Sequence, residues 1–295
     1  MSNDGSPETQ DPSEGIRGYQ TVLCAIKPHT EWSPLLSLAN SLGDAGTQLH
    51  AVCVCAPGDQ LAAGADRATY QSLERRLKEE ARFCLGNTRI QTHVVSGVAR
   101  HALLEVAREI NADAIVVGTR AGSCSTFMLG STANHVLHFA QCDVLGVRLH
   151  VNPDKRVAQE RYAEVAVALD AHYTDPDKLM NRARRLTAES AVSLLNVLRV
   201  GDCISEDRLN EGCVEEAYFR AETQMQNYGE KFSIPRNHQH LVVGSLEKAL
   251  RSLACKQGVN LFVLGDHVDG ATMSVPMDAL SGALRATDCD ILVVR

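Results

Sequence analysis

The chain writes one apolar closing segment twice, CDVLGVR at 142–148 and CDILVVR at 289–295. One spacing of 147 residues separates Cys142 from Cys289, Gly118 in IVVGT from Gly265 in FVLGD, and Gly97 in HVVSG from Gly244 in LVVGS. Three landmarks in one register align two copies without a gap across their later parts. A period this long marks tandem domains, because solenoid repeats recur every 20 to 50 residues or so. The length of 295 residues agrees, at about 150 residues per domain, and each copy is long enough to bury its own core.

Strand and helix signals alternate through both copies. YQTVLCAIK is an apolar run halted by Pro28, the pattern of a buried parallel strand. WSPLLSLANSLGDAG then reads as a helix with Ser33 as N-cap and Pro34 in its first turn. QLHAVCVCAP and IQTHVVSG are strands on either side of the amphipathic RATYQSLERRLKEEARFCLG. Leu103, Val106, Ala107 and Ile110 recur at helical spacing, and AIVVG is a fourth strand. A loop is expected from 119 to about 131, then the helix TANHVLHFA and the closing strand. The second copy repeats this order, with Leu250, Leu253 and Ala254 in the places of Leu103, Val106 and Ala107. Such alternation specifies an α/β fold of two tandem Rossmann-like, doubly wound domains, each a five-stranded parallel sheet flanked by helices. The expected boundaries are an acidic, disordered tail at 1–18, domain 1 at 19–151, a polar linker at 152–161 and domain 2 at 162–295.

The net charge of −7 argues against nonspecific nucleic-acid binding. No apolar run reaches membrane-spanning length and no basic-then-apolar leader opens the chain, so a cytoplasmic location without membrane insertion is expected. The ten cysteines are scattered singly, as small buried thiols are, and Cys53 and Cys55 share one face of their strand. The pairs His135/His138 and His238/His240 each offer two ligands, and two do not make a metal site. Neither a P-loop nor a GxSxG elbow occurs, and no carboxylate pair is spaced for acid–base work, so no catalytic residue is nominated.

In an open parallel sheet, ligands bind beyond the carboxyl ends of the strands. In the first copy that place is GTRAGSCSTFMLGSTANHVL. Gly118 permits a turn, Gly130-Ser131 lead into a helix whose free N–H groups attract phosphate, and Arg120 adds charge. The same residues also suit a strand-to-helix turn kept for folding alone. This loop, with the closing strand after it, resembles the universal stress protein family. Its nucleotide-binding members carry a glycine, two residues, a second glycine, nine residues, then Gly-Ser or Gly-Thr. The resemblance covers both copies in strand order and is strongest at 94–148 and 241–295. It implies an ATP or other adenine-nucleotide pocket in domain 1 from Ala25, Lys27, Val54, Gly118, Thr119, Arg120, Gly130, Ser131 and Thr132.

Departures from the family pattern divide between the copies. Ala121 replaces the second glycine and the loop is one residue short. Lys27 stands where the family has an aspartate holding the adenine and ribose end. The second copy has Asp170 at that place, but Met277 and Asp278 replace Gly130 and Ser131, setting an acid against phosphate. Neither copy keeps the whole set.

In this family the last strands of two domains pair and make dimers. A tandem chain therefore carries its own partner, and residues 142–149 and 289–295 are expected at the contact between the halves, each covering an apolar edge. Each half is expected to keep a sheet of its own. The reading is a non-enzymatic stress-response protein that binds unidentified protein partners, forms a homodimer and holds at most one weakened nucleotide site. The alternative is an ATP-binding or slowly ATP-hydrolysing sensor using the domain 1 loop. An adenylating enzyme would need a glycine-rich loop after the first strand, where IKPHTEWS and LDAHYTDP have none. Lys27 would retune the first pocket toward a more anionic ligand.

Overall fold

β-branched and apolar runs at 19–26, 43–55, 90–96 and 114–120 form the first four strands of the sheet, and helices cross over between them. The computed structural model describes residues 18–27, 32–55, 67–86, 90–120, 130–149, 162–169, 175–187, 191–198, 211–265 and 289–295. The expected linker, and the expected tail apart from Gly18, lie outside these residues.

The first half runs β1 (Tyr19–Ile26), α1 (Ser33–Ser41), β2 (Gly43–Cys55), α2 (Arg67–Leu85), β3 (Ile90–Ser96), α3 (Ala99–Glu109), β4 (Ala114–Arg120), α4 (Ser131–Phe139) and β5 (Asp143–Leu149). The second runs β6 (Val165–Ala168), α5 (Pro176–Leu186), β7 (Val192–Leu198), α6 (Glu211–Lys231), β8 (Gln239–Val243), α7 (Leu246–Gln257), β9 (Leu261–Gly265) and β10 (Asp290–Val294). Within each half the strands are parallel and keep one order, β3-β2-β1-β4-β5 in the first and β8-β7-β6-β9-β10 in the second. Each order reverses direction beside its first strand, the switch point at which open α/β sheets bind ligands.

The two sheets are not separate. β5 and β10 pair antiparallel, with Leu145 opposite Leu292 and Gly146 opposite Ile291, so ten strands form one continuous sheet. Separate sheets are incompatible with edge-to-edge pairing of the closing strands, and the pairing prevails because it satisfies both backbone edges at once.

Strand alternation divides the core into two layers. On one face Cys24, Cys53, Cys55, Val116 and Leu145 pack with Leu36 and Leu77 and run on to Met180, Leu186, Met225 and Leu292 of the second half. On the other, Leu23, Val52, Ile115 and Val144 pack with Leu103 and Val136 and run on to Leu250, Phe262 and Ile291. Both layers cross the junction without a break.

Local signals account for some helix ends. Asp175 caps α5, its Oδ1 accepting the Lys178 N–H at 2.9 Å ahead of Pro176. α3 and α7 end at equivalent residues with positive φ, Asn111 at 51° and Gly258 at 70°. α1 departs from the expected cap. It begins at Ser33 itself, after Trp32, which is fully buried and donates its indole N–H to the Lys27 carbonyl at 2.9 Å.

Candidate functional site

The carboxyl ends of β1 and β4, flanking the switch point, gather several of the residues singled out above. Ala25 is half-buried and packs into the layer of α3 and α4, with Val52 and Val117 as its strand neighbours. Val54 is buried in the same layer at the end of β2. Lys27 is exposed one residue past β1. Ser131 and Thr132 open α4, whose first intrahelical acceptor is the Gly130 carbonyl, bonded by Asn134 N–H at 3.0 Å. The N–H groups of Ser131, Thr132 and Ala133 therefore have no acceptor inside the helix, which is the arrangement that attracts an anion.

β4 is longer than its sequence suggests. Thr119 and Arg120 continue the strand, paired with Arg148 and Leu149 of β5. Thr119 is buried and its hydroxyl donates to the Val147 carbonyl at 3.2 Å, so its hydrogen already has an acceptor. Gly118 belongs to the opposite face from Thr119. A Cβ built on it would lie 2.6 Å from Leu149 Cδ1 and 3.4 Å from Leu35 Cδ1, so a side chain there would have to push the tip of Leu149 aside. Gly130 differs: its φ of −57° suits any residue, and no described residue lies within 4 Å of a Cβ there. The backbone does not demand glycine at 130. Ala121 and the rest of the loop at 121–129 lie outside the described residues, as do Asp170, Met277 and Asp278.

The histidines are held by structure. His138 is buried on α4, Nε2 lies 3.2 Å from Asn134 Oδ1, and burial, then the nearby Arg295 charge, pushes its pKa down to about 4. His238 Nδ1 lies 3.1 Å from Ser193 Oγ. His50 Nδ1 and His93 Nε2, 2.9 Å apart on β2 and β3, form a stacked pair without a motif in the sequence. Among the described residues, no group of three or more His, Cys, Asp or Glu could hold a metal.

The residues the sequence hides best lie at the junction. Asp143 and Asp290, both buried, begin the two closing strands. Asp143 Oδ1 accepts the Arg295 backbone N–H at 2.9 Å, and Asp290 Oδ1 accepts that of Arg148 at 2.7 Å. Each also accepts a tyrosine hydroxyl at 2.7 Å, Tyr19 on Asp143 and Tyr162 on Asp290. Burial and the Asp143 charge hold the Tyr19 phenol well above its ordinary pKa, so it remains a donor. Arg182 Nε adds a bond to Asp143 at 3.0 Å and lies over the Tyr19 ring. The Arg295 guanidinium crosses to the first half, donating to the carbonyls of Leu137 at 2.7 Å and Cys142 at 3.3 Å. The cue was the acid that follows each cysteine at one spacing, Cys142-Asp143 and Cys289-Asp290.

Residues 18–148 match the model of the universal stress protein family. Universal stress protein A homolog 2 of Coxiella burnetii is 31% identical over 136 residues, which cover 43% of this chain and 92% of that protein. Universal stress protein A homolog 1 of the same organism is 40% identical over 83 residues, 26% of this chain. The chain spans a little over half of the first relatives it matches, 58% of that homolog's length. A universal stress protein from Archaeoglobus fulgidus superposes with a TM-score of 0.61 at 14% identity, covering 95% of this chain and 97% of its own. A protein of unknown function from Pseudomonas aeruginosa gives 0.63 at 13% identity, covering 96% and 94%. Both structures share the fold across both halves.

Proposed function

The chain belongs to the universal stress protein family, and from that premise we propose that it acts in the stress response as a self-paired tandem that binds protein partners. Units at 19–151 and 162–295 would form an internal pseudo-dimer, in the cytoplasm, without enzymatic activity, and whole chains would pair again as homodimers. At most one adenine-nucleotide site would remain, weakened, in the first unit.

The observation that carries this reading is the reciprocal seam. Asp143 with Arg295 and Asp290 with Arg148 make the same bond in opposite directions, as an isologous interface does. Support for a weakened first site comes from Lys27 in place of the family's acid and from Thr119, whose hydroxyl already donates to Val147. Its phosphate end would be the start of α4, with Gly130, Ser131, Thr132 and the Arg120 charge.

Titration calorimetry with magnesium ATP tests the reading. The expected result is no measurable heat, or a single site per chain with a dissociation constant above roughly 100 μM. Two occupied sites per chain, or one of about micromolar affinity, would contradict it. The open approach to Gly130 favours the second reading, an ATP-binding or slowly hydrolysing sensor. Tight binding abolished by Gly130→Asp, which sets a carboxylate at the helix start, would establish that reading instead.

A further inference from the structure

Behind the amino ends of β4 and β5, between the C-termini of α3 and α4, lies a cavity of about 220 Å³. Its apolar floor includes Ala107, Ala112 and Ile115, Phe139 flanks it, and Arg108, Asn111, Gln141 and the Cys142 thiol supply its polar groups. At the spacing of 147, Val259 and Phe262 take the places of Ala112 and Ile115 in the second half. There both are buried, and the thiol of Cys289, the counterpart of Cys142, donates to the Val259 carbonyl. Ala112 and Ile115 are thus smaller than their counterparts in the second half.

The chemistry of the lining selects a ligand. Arg108 is the single charged residue on the wall. It is exposed, and its guanidinium makes no ion pair or hydrogen bond with the described residues. A free guanidinium recognises a carboxylate in bidentate fashion. Four of the helix-end carbonyls near the cavity already accept hydrogen bonds. The α3 carbonyls of Val106, Ala107 and Arg108 accept from the N–H groups of Ile110, Ala112 and Asn111. The α4 carbonyl of Leu137 accepts from the Arg295 guanidinium. Burial, and then the Asp143 charge, push the Cys142 thiol up to about 12, so it stays neutral beside an anion. Arg295 also holds the Cys142 carbonyl at 3.3 Å, fixing the turn that forms one wall.

We infer that this cavity is a binding site for a small carboxylate with a short aliphatic body, the carboxylate on Arg108 and the chain over Ala112 and Ile115. The volume lies below the range of about 300–1,000 Å³ occupied by drug-sized ligands, which limits the occupant to a small acid.

Amide spectra of the full chain titrated with sodium hexanoate test this, with hexan-1-ol as the uncharged control. Saturable shifts at Asn111, Ala112, Gln141 and Cys142 are expected, with hexanol binding at least fivefold more weakly. Arg108→Gln should weaken hexanoate by about the same factor and leave hexanol unchanged. Ala112→Val, which restores the second half's residue, should remove both. Absent shifts at these residues, shifts that survive Ala112→Val, or equal affinity for acid and alcohol would each overturn the inference.

Discussion

Asp143 accepts the backbone N–H of Arg295, 152 residues away in the chain, at 2.9 Å, and the bond joins the two halves. Its mirror joins Asp290 to Arg148 at 2.7 Å. A buried carboxylate is costly unless its lone pairs are satisfied. Here each acid begins a closing strand and takes donors from both halves, so its burial depends on the halves being together.

Asp143→Ala should therefore destabilise the whole chain. It strands the Tyr19 hydroxyl, Arg182 Nε and the Arg295 N–H, three donors held at 2.7 to 3.0 Å. Losing one partner of such a buried network costs about 3 kcal/mol or more. Urea unfolding should show that loss with the slope unchanged. A change under 1 kcal/mol would mean that water replaces the acid and that the seam is not held here.

Gly118 of β4 and Gly130 before α4 should part company on substitution. Gly118→Ala presses a methyl against the tip of Leu149, which must shift, and should cost about 1 kcal/mol by overpacking. Gly130→Ala meets no described residue and keeps an ordinary φ, so stability should stay within about 0.5 kcal/mol of the parent. Thermal melts of the two variants check this order, and equal melting points would contradict it.

Acid should weaken the fold through its histidines. Burial, with Arg295 beside it, lowers His138 from 6.5 to about 4, and His50, His93, His135 and His240 are also lowered, burial being the first cause in each. The unfolded chain takes up these protons first. The stability they confer is complete above pH 6.5 and is lost as the pH falls from 6.5 toward 4. His138 accounts for about 2 kcal/mol of that loss. Urea midpoints at pH 7.5, 6 and 4.5 should fall in that order, and His138→Leu should flatten the trend in part. A midpoint independent of pH over this range would contradict the assignment.

Parallel strands buried on both faces read as unbroken apolar runs, and that made the alternation legible from sequence. So did the facing of Cys53 and Cys55, since the strand period of two depends on no partner. The extension of β4 through Thr119 and Arg120 was hidden. Their polar side chains follow a glycine and look like a loop, yet pairing with Arg148 and Leu149 keeps them extended. The start of β2 at Gly43 was hidden by the irregular register between Tyr19 and Thr21. The cap of α1 rests on Trp32 reaching Lys27, a contact across a loop that no local pattern writes. At the site, Gly118 and Gly130 looked alike as letters, and only the side chains around Gly118 distinguish a packing glycine from an open one. Asp143 and Asp290 stood in plain view, but their worth depends on donors far along the chain.

The closing strands should hold the halves together without the covalent link. A protease site placed within residues 152–161 allows the folded chain to be cut and then passed over a sizing column under native conditions. Both fragments should elute together at the volume of the uncut chain. Two separate peaks, each a soluble fragment of about half the mass, would contradict it.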